Sequence, residues 1–170
     1  MRGIEIRAQQ AADLPRIEAV NEAAFADHGG TAAFDEFRRD RDDILSLVAL
    51  ADNEIIGHVL FSPVYMATQQ GTVEGMGLGQ LAVSPEWQNK GIGTTLSETG
   101  IAELRNRQCP FIIVVGHAGY YPRFGFEPGK LHNVQCQWEG VPDETFMVLY
   151  LNKNPQEQQR LSGVASFDGL

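Results

Sequence analysis

Residues 78 to 116, LGQLAVSPEWQNKGIGTTLSETGIAELRNRQCPFIIVVG, constrain the fold more than any other stretch of the chain. Leu78 to Val83 reads as a strand that Pro85 ends. Ile92, Leu96, Gly100 and Leu104 recur at four-residue spacing and mark one stripe of a helix from Gly91 to Arg107. Gly100 weakens helix propensity but lets the backbone lie close against a sheet. FIIVVG, residues 111 to 116, is an apolar run without polar alternation, as expected of a central strand covered on both faces. Strand, helix and strand in such close succession imply a right-handed parallel crossover. The fold class is therefore α/β.

The remaining segments attach to that unit. Ile4 to Arg7 alternate as a short strand, and Asp13 and Pro15 announce a helix with an inner stripe of Ile17, Val20 and Ala24 that ends near Phe25. AFADHGGTAA is a glycine-marked loop, and FDEFRRDRDD after it, residues 34–43, reads as a short charged helix with Phe34 and Phe37 turned inward. LSLVALADNEIIGHVLFSPV gives two antiparallel strands around Asp52-Asn53-Glu54, where Asn accepts the positive φ of a hairpin turn. MATQQGTVEGMG, residues 66–77, is polar and glycine-rich and is expected as a loop before the next strand. After AGYYPRFGF come an irregular stretch to Val141 and a last strand, TFMVLYL. Residues 1–152 then form a single domain, and residues 153–170 are a polar, loosely held extension packed on it or trailing from it.

Charge and cysteine usage exclude several functions. The formal net charge is −9, so no excess of Lys and Arg exists to neutralise phosphates, and a nucleic-acid partner is not expected. An acidic surface tolerates a cationic amine, as do the equally acidic surfaces of many ordinary proteins. Cys109 and Cys136 have neither C-x-x-C spacing nor a nearby histidine pair, and read as buried small hydrophobes, with no metal and no disulfide. Without a basic-then-apolar leader or an 18-residue apolar run, the expectation is a cytoplasmic chain with no membrane partner.

The turn at residues 88 to 93 carries the chemistry. Gly91 and Gly93 strip side chains from the approach to a helix whose first N–H groups lack intrahelical acceptors. With the helix dipole and Lys90 added, a pyrophosphate is a natural guest. The same glycines also permit a tight strand-to-helix turn that binds nothing, and on this stretch alone both readings stand. No Walker loop is present, and GMGLG at 75 to 79 precedes a strand instead of following one.

LGQLAVSPEWQNKGIGTTL resembles motif A of the GNAT superfamily of acyl-CoA-dependent N-acetyltransferases, whose pyrophosphate loop reads Q/R-x-x-G-x-G/A, here Gln88 to Gly93. VVGHAGYYPRFGFEP resembles motif B, with Tyr121 four residues before Gly125-Phe126. With GHVLFSPV and PDETFMVLYL, the chain is similar to the YhbS-like branch of that superfamily from about Ile4 to Leu151. The resemblance implies an acyl-CoA N-acyltransferase fold: one mixed, mostly antiparallel sheet with a splayed parallel strand pair, flanked by helices. It implies acetyl-CoA as cosubstrate, with Gln88, Asn89, Lys90, Gly91, Ile92, Gly93 and Thr94 at the pyrophosphate and the backbone of Leu81, Ala82 and Val83 at the pantetheine. Gly77 and Gly79 are compatible with a bulge in that strand.

The implied reaction is direct attack of an amine, a small molecule or a peptide or protein amino group, on the thioester, with no metal. Cys109 has no histidine partner and no G-x-S-x-G elbow is present, which disfavours an acyl-enzyme. The resemblance makes Tyr121 the candidate acid for the departing thiolate; packing near a turn is the competing account, and Tyr120 is the neighbour most easily mistaken for it. Arg123 and Phe124 are expected to serve packing and surface. Where many relatives carry a glutamate on the motif A strand, this chain has Gly79 and neutral Gln80. Glu22, His28, Asp35, Glu36, Glu74 and His117 could border an acceptor site, but a solvated charge or helix cap explains each as well. His58 is expected as a hydrogen-bonded core histidine. A noncatalytic acyl-CoA-binding sensor and an α/β domain without nucleotide are the rival functions, and a homodimer is compatible with the sequence.

Overall fold

The computed structural model describes residues 3–27 and 41–168. The chain forms two compact units, one of Met1–Phe61 and Gly79–Glu103, the other of Ser62–Leu78 and Leu104–Leu170.

In the first unit, β1 (Glu5–Ala8) lies antiparallel to β2 (Leu45–Ala51), with Glu5 opposite Leu50 and Ala8 opposite Leu47. β2 pairs antiparallel with the first part of β3 (Glu54–Thr68), Leu45 opposite Phe61 and Ala51 opposite Glu54. Asp52 and Asn53 turn between them with φ of 50° and 66°, both in the left-handed region that a two-residue hairpin of the primed kind requires. Helix α1 (Leu14–Ala24) starts behind Asp13, whose carboxylate accepts from the Gln10 N–H at 2.7 Å and from two Arg7 nitrogens at 2.6 and 3.0 Å. Its stripe Ile17 and Val20 packs on Val48, Leu50, Ile55 and Ala82, as the periodicity predicts. Helix α2 (Ile92–Asn106) comes so close to β3 that a Cβ at Gly100 would lie 2.3 Å from the Phe61 ring.

In the second unit, β4 (Gly71–Val83) lies parallel to β5 (Phe111–Val115) over Met76 to Leu78. The ladder ends at Leu78 opposite Val114, while β4 continues to Val83. β5 pairs antiparallel with β8 (Phe146–Tyr150), and β8 with β6 (Glu127–Pro128). β9 (Gly163–Phe167) pairs antiparallel with β3 and parallel with β7 (Val134–Cys136). Val64, Met66, Phe111, Ile113, Phe146, Val148, Ala165 and Phe167 fill this core. Because β3 and β4 run through both units, the described strands follow the hydrogen-bonded order β1-β2-β3-β4-β5-β8-β6, a mixed and mostly antiparallel sheet flanked by helices. Among the described residues no helix is long and apolar enough to cross a membrane.

Two expectations need correction, and a third falls largely outside the described residues. Residues 66–77 are not a loop: β3 runs to Thr68, β4 starts at Gly71, and only Gln69 and Gln70 turn between them, braced by Thr68 Oγ1, which accepts from Gln70 N–H and donates to the Gly71 carbonyl. The middle of the segment, residues 67–74, is polar because it is a largely exposed hairpin tip, while Met66 and residues 75–77 are buried at its base. Gly77 answers to close packing, since a Cβ there would lie 2.1 Å from the Phe167 ring. The extension after residue 152 is not loosely held, because Ala165 and Phe167 are buried on β9 and a short helix, α3 (Pro155–Arg160), precedes it. The charged helix expected over residues 34–43, with Phe34 and Phe37, lies outside the described residues up to 40. Arg41 and Asp43, where description resumes, form an ion pair that holds the Asp43 carboxyl below the usual carboxylate range.

Candidate active site

Strand, turn and helix N-terminus meet in the first unit. Ala82 faces the core while Leu81 and Val83 are half-buried at the end of β4. The Ser84 N–H donates to the Ile56 carbonyl at 2.9 Å, fixing the end of the strand on β3. Pro85 to Trp87 then make one tight turn, in which the Trp87 N–H donates to the Ser84 carbonyl at 2.8 Å and the Gln88 N–H to the Pro85 carbonyl at 3.3 Å. Gln88 folds its side chain back, Nε2 donating to the Val83 carbonyl at 3.0 Å. The backbone amide of Gln88 is thus already engaged.

Residues 89 to 94 are arranged differently. Asn89 and Gly91 have φ of 59° and 83° with Lys90 between them at negative φ, an alternation that turns successive N–H groups toward one side. The first helical bond of α2 is donated by Thr95 N–H to the Gly91 carbonyl at 3.0 Å, and Thr95 Oγ1 reaches the same oxygen at 3.1 Å. The Ile92, Gly93 and Thr94 amides therefore precede any intrahelical acceptor. Among the described residues no hydrogen bond engages the N–H groups of Asn89 through Thr94. A Cβ placed on Gly91 meets nothing within 4 Å, so that side of the turn is open. Lys90 Nζ sits over the Trp87 ring, 5.0 Å from its centroid, adding positive charge to the dipole end of the helix. Ile92 and Leu96 anchor the helix against β3, where a Cβ on Gly57 would come within 3.1 and 3.0 Å of them. The arrangement presents donors and positive potential to an anion.

Tyr121 lies in the second unit, at the start of the turn Tyr121–Phe124 that comes after β5. Its ring is gripped edge-on by Tyr120 at 5.1 Å and Phe126 at 5.7 Å between centroids. Gly116 is obligatory beneath it, since a Cβ there would stand 2.3 Å from the ring. Gly125 closes the turn at φ 95°. The residue is 8 % exposed, and its hydroxyl makes no hydrogen bond with the described residues. Burial, with a smaller contribution from Tyr120, pushes the phenol well above the ordinary tyrosine range, so it stays protonated and keeps a proton to donate. Tyr120 differs: Arg123 lies over its ring at 4.3 Å and donates through Nε to its carbonyl at 2.9 Å, the surface role expected of Arg123.

Of the residues considered as bases, Glu22, Glu74 and His117 are not buried, and His28, Asp35 and Glu36 lie outside the described residues. Cys109 and Cys136 are free thiols, half-buried instead of fully buried. The Cys109 thiol donates to the Phe111 carbonyl at 3.2 Å, and burial raises its pKa, the reverse of an activated nucleophile. His58 is fully buried as expected, with Nε2 2.9 Å from Ser46 Oγ and Nδ1 3.2 Å from Asn21 Oδ1. Sequence reasoning missed the far end of this network: Asn21 Nδ2 donates at 3.2 Å to Gln80 Oε1, and Gln80 Nε2 is left buried without a partner. The signal available was Asn21 itself, a polar residue beside Val20 on the buried side of α1.

The model of the acetyltransferase (GNAT) family matches residues 12–126. The uncharacterised N-acetyltransferase YhbS of Escherichia coli K12 is 30 % identical over 137 residues, 80 % of this chain and 81 % of that protein. YjhQ of the same organism, also an uncharacterised N-acetyltransferase, is 43 % identical over 84 residues; these are 49 % of this chain and 46 % of that protein, so the likeness spans about half of each. Among solved structures, E. coli YhbS in complex with CoA superposes with a TM-score of 0.83 at 27 % identity, covering 96 % of this chain and 89 % of that one. A Brucella melitensis acetyltransferase of the family in complex with acetyl-CoA gives 0.77 at 28 % identity, covering 98 % and 97 %. By family model, relatives and fold together, this chain belongs to the GNAT family, in its YhbS-like branch of N-acetyltransferases.

Proposed function

We propose that the chain transfers the acetyl group of acetyl-CoA directly to an amine in a ternary complex, with the turn at residues 88–94 on the pyrophosphate and the backbone of Leu81, Ala82 and Val83 along the pantetheine. The observation that carries this reading is the run of unengaged amides from Asn89 through Thr94 around the open side of Gly91. CoA and acetyl-CoA in the E. coli and Brucella relatives support the same ligand here. Gln88 contributes differently from its neighbours, bracing Val83 through its side chain. In the chemical step the amine nitrogen bonds to the thioester carbonyl carbon, the carbon–sulfur bond breaks, the ammonium gives up a proton and the thiolate takes one. Tyr121 is the donor to the sulfur. Because burial raises its pKa, a full proton transfer to a thiolate is more uphill than for an ordinary tyrosine, and its contribution is a hydrogen bond that strengthens as charge develops. A protonated, half-buried Cys109 supports direct transfer over a cysteine acyl-enzyme. The acceptor is a small-molecule amine or a peptide or protein amino group.

Titration calorimetry with coenzyme A, and then thiol-release assays across metabolite and peptide amines, test the reading. Binding tighter than about 1 mM and turnover on at least one amine are expected. Absent binding rejects the turn assignment, and binding without turnover on any amine favours an acyl-CoA sensor.

A further inference from the structure

Gln9, Ser46, His58, Asn21 and Gln80 form one polar chain through the interior of the first unit, touching β2, β3, α1 and β4 in turn. The protons available limit how its links can close. Ser46 Oγ lies 2.6 Å from Gln9 Oε1 and 2.9 Å from His58 Nε2, but a hydroxyl has a single proton to donate. If Ser46 donates to Gln9, His58 Nε2 must donate to Ser46. His58 Nδ1 faces the Asn21 oxygen, which also calls for a donor, so this arrangement needs two protons on the ring. Gln80 then presents Nε2 at the free end.

With one proton on the ring, every link still closes if the Asn21 and Gln80 amides both rotate by 180°. Asn21 Nδ2 then donates to His58 Nδ1, Gln80 Nε2 donates to Asn21 Oδ1, and Gln80 presents Oε1 at the free end. Rotation exchanges a surplus donor for a surplus acceptor but never removes it. The end left over always belongs to Gln80, which is 3 % exposed. A buried polar atom without a partner is costly enough to call for one.

We propose that Gln80 positions the amine acceptor, the free end of its side-chain amide hydrogen-bonding a polar group of the acceptor beside the thioester. This rests on the acetyl-transfer reading above. In that reading the pyrophosphate turn comes after Val83 and the pantetheine lies along Leu81 to Val83, so the acyl end reaches β4 toward Gln80, roughly 10 Å from Val83 at about 3.3 Å per residue. An amide neither takes nor releases a proton at neutral pH, so Gln80 orients the amine without deprotonating it. Asn21 and, through it, His58 are the residues that hold it in place.

The test compares Gln80→Leu and Gln80→Glu with the wild type in kcat and KM for the amine, coenzyme A affinity and thermal unfolding. Gln80→Glu retains an oxygen for Asn21 and keeps the test decisive should the leucine variant not fold. Both variants are expected to keep coenzyme A affinity within about twofold while kcat/KM for the amine falls roughly tenfold to a hundredfold in Gln80→Leu and the order of preferred amines changes in Gln80→Glu. A structural role, or an ordered water at the free end, moves the unfolding temperature without moving the amine kinetics. Folded variants with wild-type kcat/KM for every amine overturn the proposal while leaving the acetyl-transfer reading intact. A wild type that acetylates no amine removes that reading and this inference together.

Discussion

Gly91 and Tyr121 impose opposite requirements, one for the absence of a side chain and one for a particular atom. At Gly91 the backbone sits at φ 83°, a conformation that β-branched residues avoid, and the space beside it is open. Gly91→Val is expected to strain the turn and fill the approach to the amides. A loss of coenzyme A affinity of about a hundredfold or more should result in a protein that still unfolds cooperatively; calorimetry measures it, and unchanged affinity rejects the turn as the pyrophosphate site. At Tyr121 the ring is fixed by Tyr120, Phe126 and the bare Gly116, so Tyr121→Phe keeps the packing and removes one oxygen. The expected result is a fall of roughly a hundredfold in the chemical step with little change in coenzyme A affinity. Since burial raises the phenol's pKa, deprotonation of Tyr121 should put no descending limb on the wild-type kcat profile up to about pH 10, the ordinary tyrosine value. A tyrosine limb below that pH contradicts the buried, protonated phenol.

At the scale of elements, the start of α1 shows how a local sequence signal acquires a tertiary role. Asp13 and Pro15 mark the helix from sequence alone, but the structure also clamps the Asp13 carboxylate with Arg7 of β1 and the Gln10 N–H. The hydrogen bond from Arg7, more than any other contact, holds its pKa below the usual aspartate value. A carboxyl depressed in the folded state stabilises fully above its unfolded pKa of about 3.9, and that stability is lost as pH falls through the lower folded value. Asp13→Asn should therefore be less stable by about 1 kcal/mol at neutral pH and should lose less stability on acidification below about pH 4 than the wild type does. Denaturant titrations at about pH 7 and about pH 3, on either side of the unfolded pKa, measure the difference, and an equal acid dependence in both proteins contradicts the clamp. The elements legible in sequence share a property with this helix: their signals are local. FIIVVG is continuous apolar strand, α2 carries a four-residue stripe, and Asp52-Asn53 supplies its own turn conformation. The hairpin at residues 66–77 was not legible because residues 67–74 are exposed or only half-buried, while the buried positions at its base include Gly75 and Gly77, which carry no apolar side chain to mark an alternation. Tyr121 and the turn at 88–94 stand out through their resemblance to short, local family motifs, whereas the chain ending at Gln80 joins residues up to 71 positions apart and has no local trace.

At the scale of the whole molecule, the hardest part to read was the end of the chain, where polar composition conceals a strand. Of residues 152–170 only Leu161, Ala165 and Phe167 are buried among those described, too few to set up an apolar period. Their partners lie far away in sequence: β9 pairs with Val64 to Ala67 and with Val134 to Cys136. Phe167 occupies the space that Gly77 leaves open and stacks on Trp138 at 5.3 Å, so the glycine and the distant ring are one packing feature. Neither has meaning without the other. Phe167→Ala should accordingly cost about 3–5 kcal/mol, the range for emptying a buried aromatic site, and lower the unfolding temperature by roughly 6–20 °C for a chain of this size. Denaturant unfolding with an unchanged m-value would identify the loss as one of core packing, and a change below about 1 kcal/mol would mean that the last strand does not belong to the core. Gly77→Ala tests the same feature from the other side, because the added methyl and the Phe167 ring cannot share the space. Combined with Phe167→Ala, it should be less destabilising than the sum of the two single changes, since the added methyl then enters a cavity instead of a ring. Strict additivity of the pair would show that the two residues do not meet.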